Sequence, residues 1–269
     1  MGIKIYPKVT LLISTFNWPE ALNLVLLSVL KQSRRPDEII IADDGSNHTT
    51  KQFIANFILQ YQLPIKHIWQ EDNGFRKSVI LNKAIKASTC PYIIEIDGDI
   101  ILQKHFIKDH LAAAQHGFFV QGSRTMIGEA RSKEVLETGK YALGPFSKGM
   151  VTRFNAIRFP LLSFIFKTNP FSSWNVKGCN LAFWKEDYIK INGYFNGFEG
   201  WGWEDYEFAE RLINSGIKKK RLKWAAIGYH IFHPLSSRGN FKPNELIYKE
   251  TVTKKMCRRE PGFQEIASF

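Results

Sequence analysis

Four times before residue 100, a short run of β-branched and aliphatic side chains alternates with a stretch of helical character. Val9 to Thr15, Glu38 to Ala42, Ile65 to Trp69 and Tyr92 to Ile96 read as strands, since such side chains suit a pleated sheet and the runs are short. Ala21 to Lys31, Thr50 to Gln60 and Arg76 to Ala87 read as helices, the first with Asn17 as its N-cap and Pro19 in its opening turn. Strands joined by helices require crossovers, and right-handed crossovers build a mostly parallel, twisted sheet flanked by helices. The predicted fold class is α/β.

The second and fourth strands both stop on paired aspartates, Asp43-Asp44 and Asp97-Gly98-Asp99. In such a sheet these endings lie on one edge, where open α/β folds place their ligands. Gly98 permits a tight turn and a close approach to a ligand. Carboxylates this close repel unless a cation lies between them. A divalent metal carrying a diphosphate meets that need, because Mg²⁺ and Mn²⁺ take oxygen ligands and share substrate phosphates. Taken alone, the tripeptide also fits an exposed turn. No GxGxxG follows the first strand and no GxxxxGK[ST] occurs, which argues against dinucleotide oxidoreductases and P-loop enzymes.

At 269 residues the chain suffices for one large α/β domain, or one domain with an appended lobe. No apolar run reaches the roughly 18 to 20 residues that span a bilayer; Leu22 to Leu30, interrupted by Asn23 and Ser28, reads as a core helix. Met1 to Lys8 lacks the apolar region of a secretory signal, and Cys90, Cys179 and Cys257 suggest neither disulfides nor a zinc site. A reducing cytosol is expected. The formal charge of +12 implies acidic partners, yet no nucleic-acid-binding motif accompanies it, so no nucleic acid is expected.

Beyond about residue 120 the pattern becomes irregular, and no acidic residue occurs between Glu137 and Glu186. Cys179 to Trp184 reads as a strand, Glu204 to Ser215 as a helix closed by Gly216, and Leu222 to Tyr229 as a last strand. The segment from Lys242 is helix-prone and basic.

In order along the chain, Ser14-Thr15-Phe16-Asn17, Ala42-Asp43-Asp44-Gly45-Ser46, Asn73-Gly74 with Arg76 and Asn82, and Asp97-Gly98-Asp99 resemble the family 2 glycosyltransferases. Gly200-Trp201-Gly202-Trp203-Glu204-Asp205 resembles the "WGxED" signature of galactosyltransferase-like regions, shared with bacterial chondroitin-type polymerases and animal β-1,4-galactosyltransferases. The resemblance runs from about residue 9 to 235. It implies a GT-A fold with a C-terminal acceptor-binding lobe. Residues 1–125 would form the nucleotide-sugar half, 126–241 the acceptor and catalytic half, and 242–269 a basic tail.

The resemblance also implies roles. Thr15, Asn17, Asp43, Asp44, Asn73, Arg76 and Asp97 would contact the donor, with Asp44 accepting from uracil or ribose. Asp43 is alternatively a helix cap, and Arg76 alternatively a surface arginine. Asp99 would coordinate Mn²⁺ or Mg²⁺, joined by His233 and by His230, where the animal enzymes use a methionine and a histidine three residues apart. Imidazole suits Mn²⁺ better than Mg²⁺. Asp205 would be the base that takes the acceptor hydroxyl's proton, while Glu204 contacts sugar hydroxyls. Both open a helix, whose dipole would hold them ionised. Trp201 and Trp203, in a glycine-rich loop, would form a sugar platform, or otherwise core.

The expected function is inverting, metal-dependent transfer from a UDP-type sugar donor to a hydroxyl of a growing surface glycan, such as capsule, O-antigen or lipopolysaccharide. The rivals are a catalytically silent carbohydrate-binding module on the same scaffold and a sugar-nucleotide pyrophosphorylase. The latter would need a glycine-rich basic loop where this chain reads STFNWPE. The acid-free stretch 139–175 carries Lys140, Lys148, Arg153, Arg158 and Lys167 among phenylalanines 146, 154, 159, 164, 166 and 171. It is either a lobe cored by those rings or a surface resting on an anionic membrane, which would make the protein peripheral on the inner face of the plasma membrane.

Overall fold

The computed structural model describes residues 6–166, 168–234 and 239–267; Lys167 and the side chain of Phe164, both counted in the acid-free stretch, lie outside the described set. The elements run β1 (Val9–Thr15), α1 (Pro19–Leu30), β2 (Glu38–Asp43), α2 (His48–Tyr61), β3 (Ile65–Trp69), α3 (Lys77–Ala87) and β4 (Tyr92–Asp97). Next come β5 (Ile100–Leu102), α4 (Phe106–Ala113), β6 (Phe118–Gln121), β7 (Ser123–Met126) and α5 (Glu129–Thr138). After two 3₁₀ turns, Arg153–Ala156 and Pro160–Ile165, follow β8 (Asn180–Trp184), α6 (Lys185–Lys190), α7 (Glu204–Asn214), β9 (Lys218–Arg221), β10 (Ile227–His230) and α8 (Phe241–Thr253).

Seven strands form the main sheet in the order β3-β2-β1-β4-β8-β6-β9. The first four are parallel, and β8 runs antiparallel to both β4 and β6. The expected α/β class and mostly parallel sheet are thus present. β1 is buried along its whole length because both faces are covered. Val9, Leu11 and Ile13 pack with Leu22, Val25, Ile54 and Phe57 of α1 and α2. Leu12 packs on the other face with Ile80 and Leu81 of α3 and Phe208 of α7. A smaller sheet, β5-β10-β7, packs against α1 and α5 through Ile101, Ile227, Tyr229, Leu24 and Val135.

Two expectations are corrected. Asn17 does not cap α1; Trp18 precedes the helix without a side-chain cap. Asn17 instead adopts φ 46° and accepts a hydrogen bond from the Asn47 amide at 2.8 Å, tying the β1–α1 loop to the start of α2. The strand expected over Leu222–Tyr229 forms only from Ile227, as β10; Leu222 to Ala226 is a bend in which Trp224 and Ala226 have positive φ. The bend is held by Asp109, which accepts the Ala226 amide at 3.0 Å. The helix-prone C-terminal segment does form a helix, α8. α8 packs on α7 through Trp203 and Tyr248, and Phe263 joins the α3–α7 core. The basic run Lys218–Arg221 is β9, an edge strand whose charges discourage pairing with other chains.

α7, which opens at Glu204-Asp205, is fixed by a fully buried ion pair. Arg211 donates to Glu207 at 2.7 and 2.8 Å and to the Ile191 carbonyl at 2.6 Å, and Thr251 of α8 donates to Glu207 at 3.0 Å. Removing Arg211 leaves Glu207 in the interior with only the more distant Arg259, at 3.7 Å, to offset its charge. Arg211→Met is expected to lower stability by about 3–5 kcal/mol in urea unfolding. The double change Glu207→Leu with Arg211→Met, which removes both charges, is expected to cost far less.

Candidate active site

The order β2-β1-β4 brings Asp43-Asp44, Thr15 and Asp97-Gly98-Asp99 to one sheet edge. Because β8 is antiparallel to β4, its first residue pairs near Ile96, and the Gly178 turn enters the same edge. β10 delivers His230, and the amino end of α7 delivers Glu204 and Asp205.

On the β2 side every carboxylate oxygen already accepts a hydrogen bond. Asp43 accepts the Ser46 amide at 2.8 Å and pairs with His67 Nε2 at 2.9 Å; it stabilises the turn, while Asn47 caps α2. Asp44 accepts from Gln70 Nε2 at 2.6 Å and from the Arg76 amide at 2.8 Å, and burial raises its pKa. The Thr15 carbonyl accepts the Asp44 amide at 3.0 Å. Arg76 precedes α3, and its Nε is buried without a partner. Asn73 is exposed in the loop after β3, whose Asp72 packs against Gly45. Asn82 faces inward and joins α3 to Tyr188 and Tyr194.

At the end of β4, Gly98 donates to the Ser14 carbonyl at 2.7 Å, and a Cβ there would sit 2.9 Å from that oxygen, so only glycine fits. Asp97 accepts from Ser14 Oγ at 2.8 Å and pairs with Lys77 Nζ at 2.5 Å. Asp99 Oδ2 lies 3.5 Å from His230 Nε2 and 3.3 Å from His233 Nε2. One ligand atom from each of these three residues falls within 4.8 Å of the others. Asp99 Oδ1 is buried with no hydrogen-bond partner. Burial and the neighbouring Asp97 push the Asp99 carboxyl up to about 8, while burial and Arg124 push His230 down to about 4. A carboxylate short of positive charge beside two imidazoles fits a divalent cation.

Asp205 Oδ2 accepts the Gly178 amide at 2.7 Å, and its Oδ1 is buried and unpartnered. A Cβ on Gly178 would run into this carboxylate. Glu204 Oε2 accepts the Gly202 amide at 2.8 Å. Desolvation opposes the helix dipole at this pair. Burial and Asp205 push Glu204 up to about 7, and burial raises Asp205 against the opposing pull of Lys77. Trp203 has φ 73° and stacks on Tyr248 at 5.1 Å, within a cluster that includes Phe241 and Tyr206. Trp201, near-parallel to Phe241 at 6.0 Å, is the more exposed of the two.

Lys77 and Arg124 are absent from the sequence-level site. Burial disfavours the Lys77 cation, yet Asp97, Asp205 and Glu95 together raise its pKa well above the ordinary value. A cation in a helix's first turn opposes the helix dipole, and that anomaly was its available signal. Arg124, on β7, acts electrostatically on Asp99, His230 and Cys179. It lies in a four-residue strand within an irregular stretch, and no sequence pattern marks it.

The profile of glycosyl transferase family 2 matches residues 10–169, and one described as the N-terminal domain of galactosyltransferase matches residues 163–234. Validoxylamine A glucosyltransferase of Streptomyces hygroscopicus subsp. limoneus is 24% identical over 230 residues, covering 78% of this chain and 49% of its own length. Chondroitin synthase of Pasteurella multocida is 23% identical over 241 residues, covering 80% of this chain and 24% of its own. The chain therefore spans half or less of these relatives. S. aureus TarS 1-349 in complex with UDP shares the fold at TM-score 0.63 and 16% identity, over 91% of this chain and 65% of that one. The mannosyltransferase PcManGT from Pyrobaculum calidifontis, with GDP-Man and Mn²⁺, does so at TM-score 0.58 and 13% identity, over 93% and 63%. These are GT-A glycosyltransferases, and the sheet described above is theirs. The first profile covers more than half of the sequence, and with the ordered edge residues it places this chain in glycosyl transferase family 2.

Proposed function

We propose that this cleft transfers a sugar, with inversion, from a nucleotide diphosphate-sugar to a hydroxyl of a growing surface glycan. The carrying observation is a pair of buried, unpartnered carboxylate oxygens, Asp99 Oδ1 and Asp205 Oδ1, in one cleft. The first asks for a metal and the second for a proton. UDP is the favoured nucleotide, and capsule, O-antigen or lipopolysaccharide built at the inner face of the plasma membrane is the favoured acceptor class.

Thr15, Asn17, Asp43, Asp44 and Arg76 shape the nucleoside side, Asn73 flanks it, and Asp97 stands between it and the reacting centre. Asp99, His233 and His230 would hold Mn²⁺ in preference to Mg²⁺, given two imidazole ligands. When bound, that ion supplies Lewis-acid neutralisation of the diphosphate's charge. Asp205, oriented by the Gly178 amide, takes the acceptor hydroxyl's proton on Oδ1. The hydroxyl oxygen then bonds to the anomeric carbon, and the carbon–oxygen bond to the diphosphate breaks with its electron pair leaving on the diphosphate. Lys77 lowers the pKa of Asp97 and opposes the rise that burial imposes on Asp205. Glu204 and the exposed Trp201 position sugar, while Trp203 buttresses the loop from behind. In this reading residues 1–125 serve the donor and 126–241 the acceptor and chemistry, with 242–269 bracing α7.

Asp205→Asn removes the base isosterically and is expected to cut transfer by about 10²-fold or more while donor affinity stays within a few-fold. UDP release from a UDP-sugar panel with Mn²⁺ is the assay, and silence with every donor and acceptor would favour a sugar-binding module instead.

Asp99→Ala is expected to abolish both donor binding and turnover. His233→Ala is expected to leave weak activity that excess Mn²⁺ partly restores. Turnover that survives EDTA unchanged would refute the metal site.

The base works ionised, so activity is expected to fall as pH drops through the Asp205 pKa, which burial raises above its ordinary value. Lys77→Met removes the cation that lowers this pKa and is expected to shift the acid limb to higher pH; Lys77→Arg should restore it. An unmoved limb in correctly folded Lys77→Met would separate Lys77 from the base.

A further inference from the structure

The stretch between α5 and β8 is firmly attached and yet turns its large apolar groups outward. Its backbone is anchored along its length. Val151 donates to the Met126 carbonyl of β7 at 2.9 Å, Phe159 to the Trp224 carbonyl at 2.8 Å, and the Pro170 carbonyl accepts from Lys219 of β9 at 2.8 Å. Asn155 Nδ2 donates to the Arg124 carbonyl at 2.9 Å. Some of its side chains do fill a core, with Met150 and Ala156 packed beneath the small sheet. Others had the same opportunity and do not take it. Residues 146 to 174 hold eight of the seventeen exposed large apolar side chains among the described residues. Phe146 is 93% exposed, Leu161 78%, Phe154 76% and Trp174 68%. The alternative of a lobe cored by its own phenylalanines is therefore corrected for Phe146, Phe154 and Phe171, although Phe166 does pack on Trp224.

The charges select the partner. Lys148 and Arg153 are exposed and have no ion pair among the described residues, and no acid lies in sequence between Glu137 and Glu186. Exposed Lys218 of β9 sets its ammonium 5.6 Å from the ring of Phe171, adding a cation beside an outward aromatic. Arg158 does not belong to this set. It makes a two-point ion pair with Asp109 at 2.9 and 2.6 Å, so it anchors the lobe to α4. Outward aromatic and aliphatic groups interleaved in sequence with unpaired cations suit neither an acidic peptide alone nor a neutral oily surface. They suit a bilayer interface that offers anionic headgroups above acyl chains.

We propose that the described residues between 146 and 174 form a membrane-docking surface for anionic phospholipid, with Phe146, Phe154 and Leu161 entering the interface and Lys148 and Arg153 pairing with headgroups. The small sheet that anchors this surface through β7 also carries His230 on β10. Docking therefore sets the metal-side residues at a fixed relation to the bilayer. The further step, that the acceptor is presented there on a lipid, rests on the transferase reading above; the docking itself does not.

The test is co-sedimentation of the full chain with vesicles of phosphatidylglycerol and phosphatidylcholine, compared with phosphatidylcholine alone. Sedimentation is expected with the anionic vesicles only, with release as salt rises, since headgroup attraction is screened over roughly 8 to 10 Å at physiological salt. Lys148→Ala with Arg153→Ala is expected to lower partitioning by about twenty-fivefold, taking roughly fivefold per cation. Phe154→Ala with Leu161→Ala is expected to lower it by about tenfold or more. UDP release in lipid-free solution should be unchanged in both variants, so loss of donor turnover in the parent protein would count against the transferase reading and not against docking. Equal sedimentation with neutral vesicles, or none with anionic ones, overturns the proposal. So does concentration-dependent dimerisation abolished by Phe154→Ala with Leu161→Ala, which would assign the face to a second copy of the chain.

Discussion

One buried ammonium answers for most of the negative charge in the cleft. Lys77 Nζ pairs with the half-buried Asp97 and acts on the half-buried Asp205 and the fully buried Glu95. Carboxylates in such surroundings become neutral unless a cation offsets the loss of hydration. Glu95, whose partner is Tyr194 and whose pKa burial drives well above the ordinary value, shows what happens where the offset is too weak. Asp97, in direct contact with the lysine, is held below its ordinary value. The gradient from Asp97 through Asp205 to Glu204 is set largely by burial and by access to one lysine. That gradient separates a carboxylate able to accept a proton from one that is half protonated near neutrality.

The architecture serves this arrangement by bringing distant residues to one edge. Parallel β1, β2 and β4 end there, antiparallel β8 begins nearby, and α7 starts there under the grip of the Glu207–Arg211 pair. The glycines at the junctions are needed for approach and not for motion. Gly98 lets β4 turn against Ser14, and Gly178 leaves room for the Asp205 carboxylate.

The amino-terminal half was legible because its strands are buried on both faces, so β1, β2 and β4 appear as continuous apolar runs. The same rule fails for β5, β6 and β7, which are three or four residues long, and β7 reads as polar SRTM. α5 escaped notice because EARSKEVLET buries only Ser132 and Val135. The bend at Trp224–Ala226 depends on Asp109, more than a hundred residues away, which no local pattern encodes. Within the site, residues carried by short motifs were readable. Lys77 was not, because its meaning comes from carboxylates supplied by β4 and α7.

Strand β8 has a consequence for how the protein is made. β2 pairs with β1 and β3 across fewer than thirty residues, whereas β4 must return across more than eighty to reach β1, and β8 across more than eighty again to reach β4. Closing so long a loop delays contacts of this kind relative to local ones. A ribosome-bound chain can therefore assemble the nucleotide side of the sheet before Gly178 and Asp205 exist in place. The cleft becomes chemically competent only when β8, α7 and β10 have all arrived, and a chain truncated before β8 would carry part of a sheet with an open β4 edge, an invitation to pair with other chains.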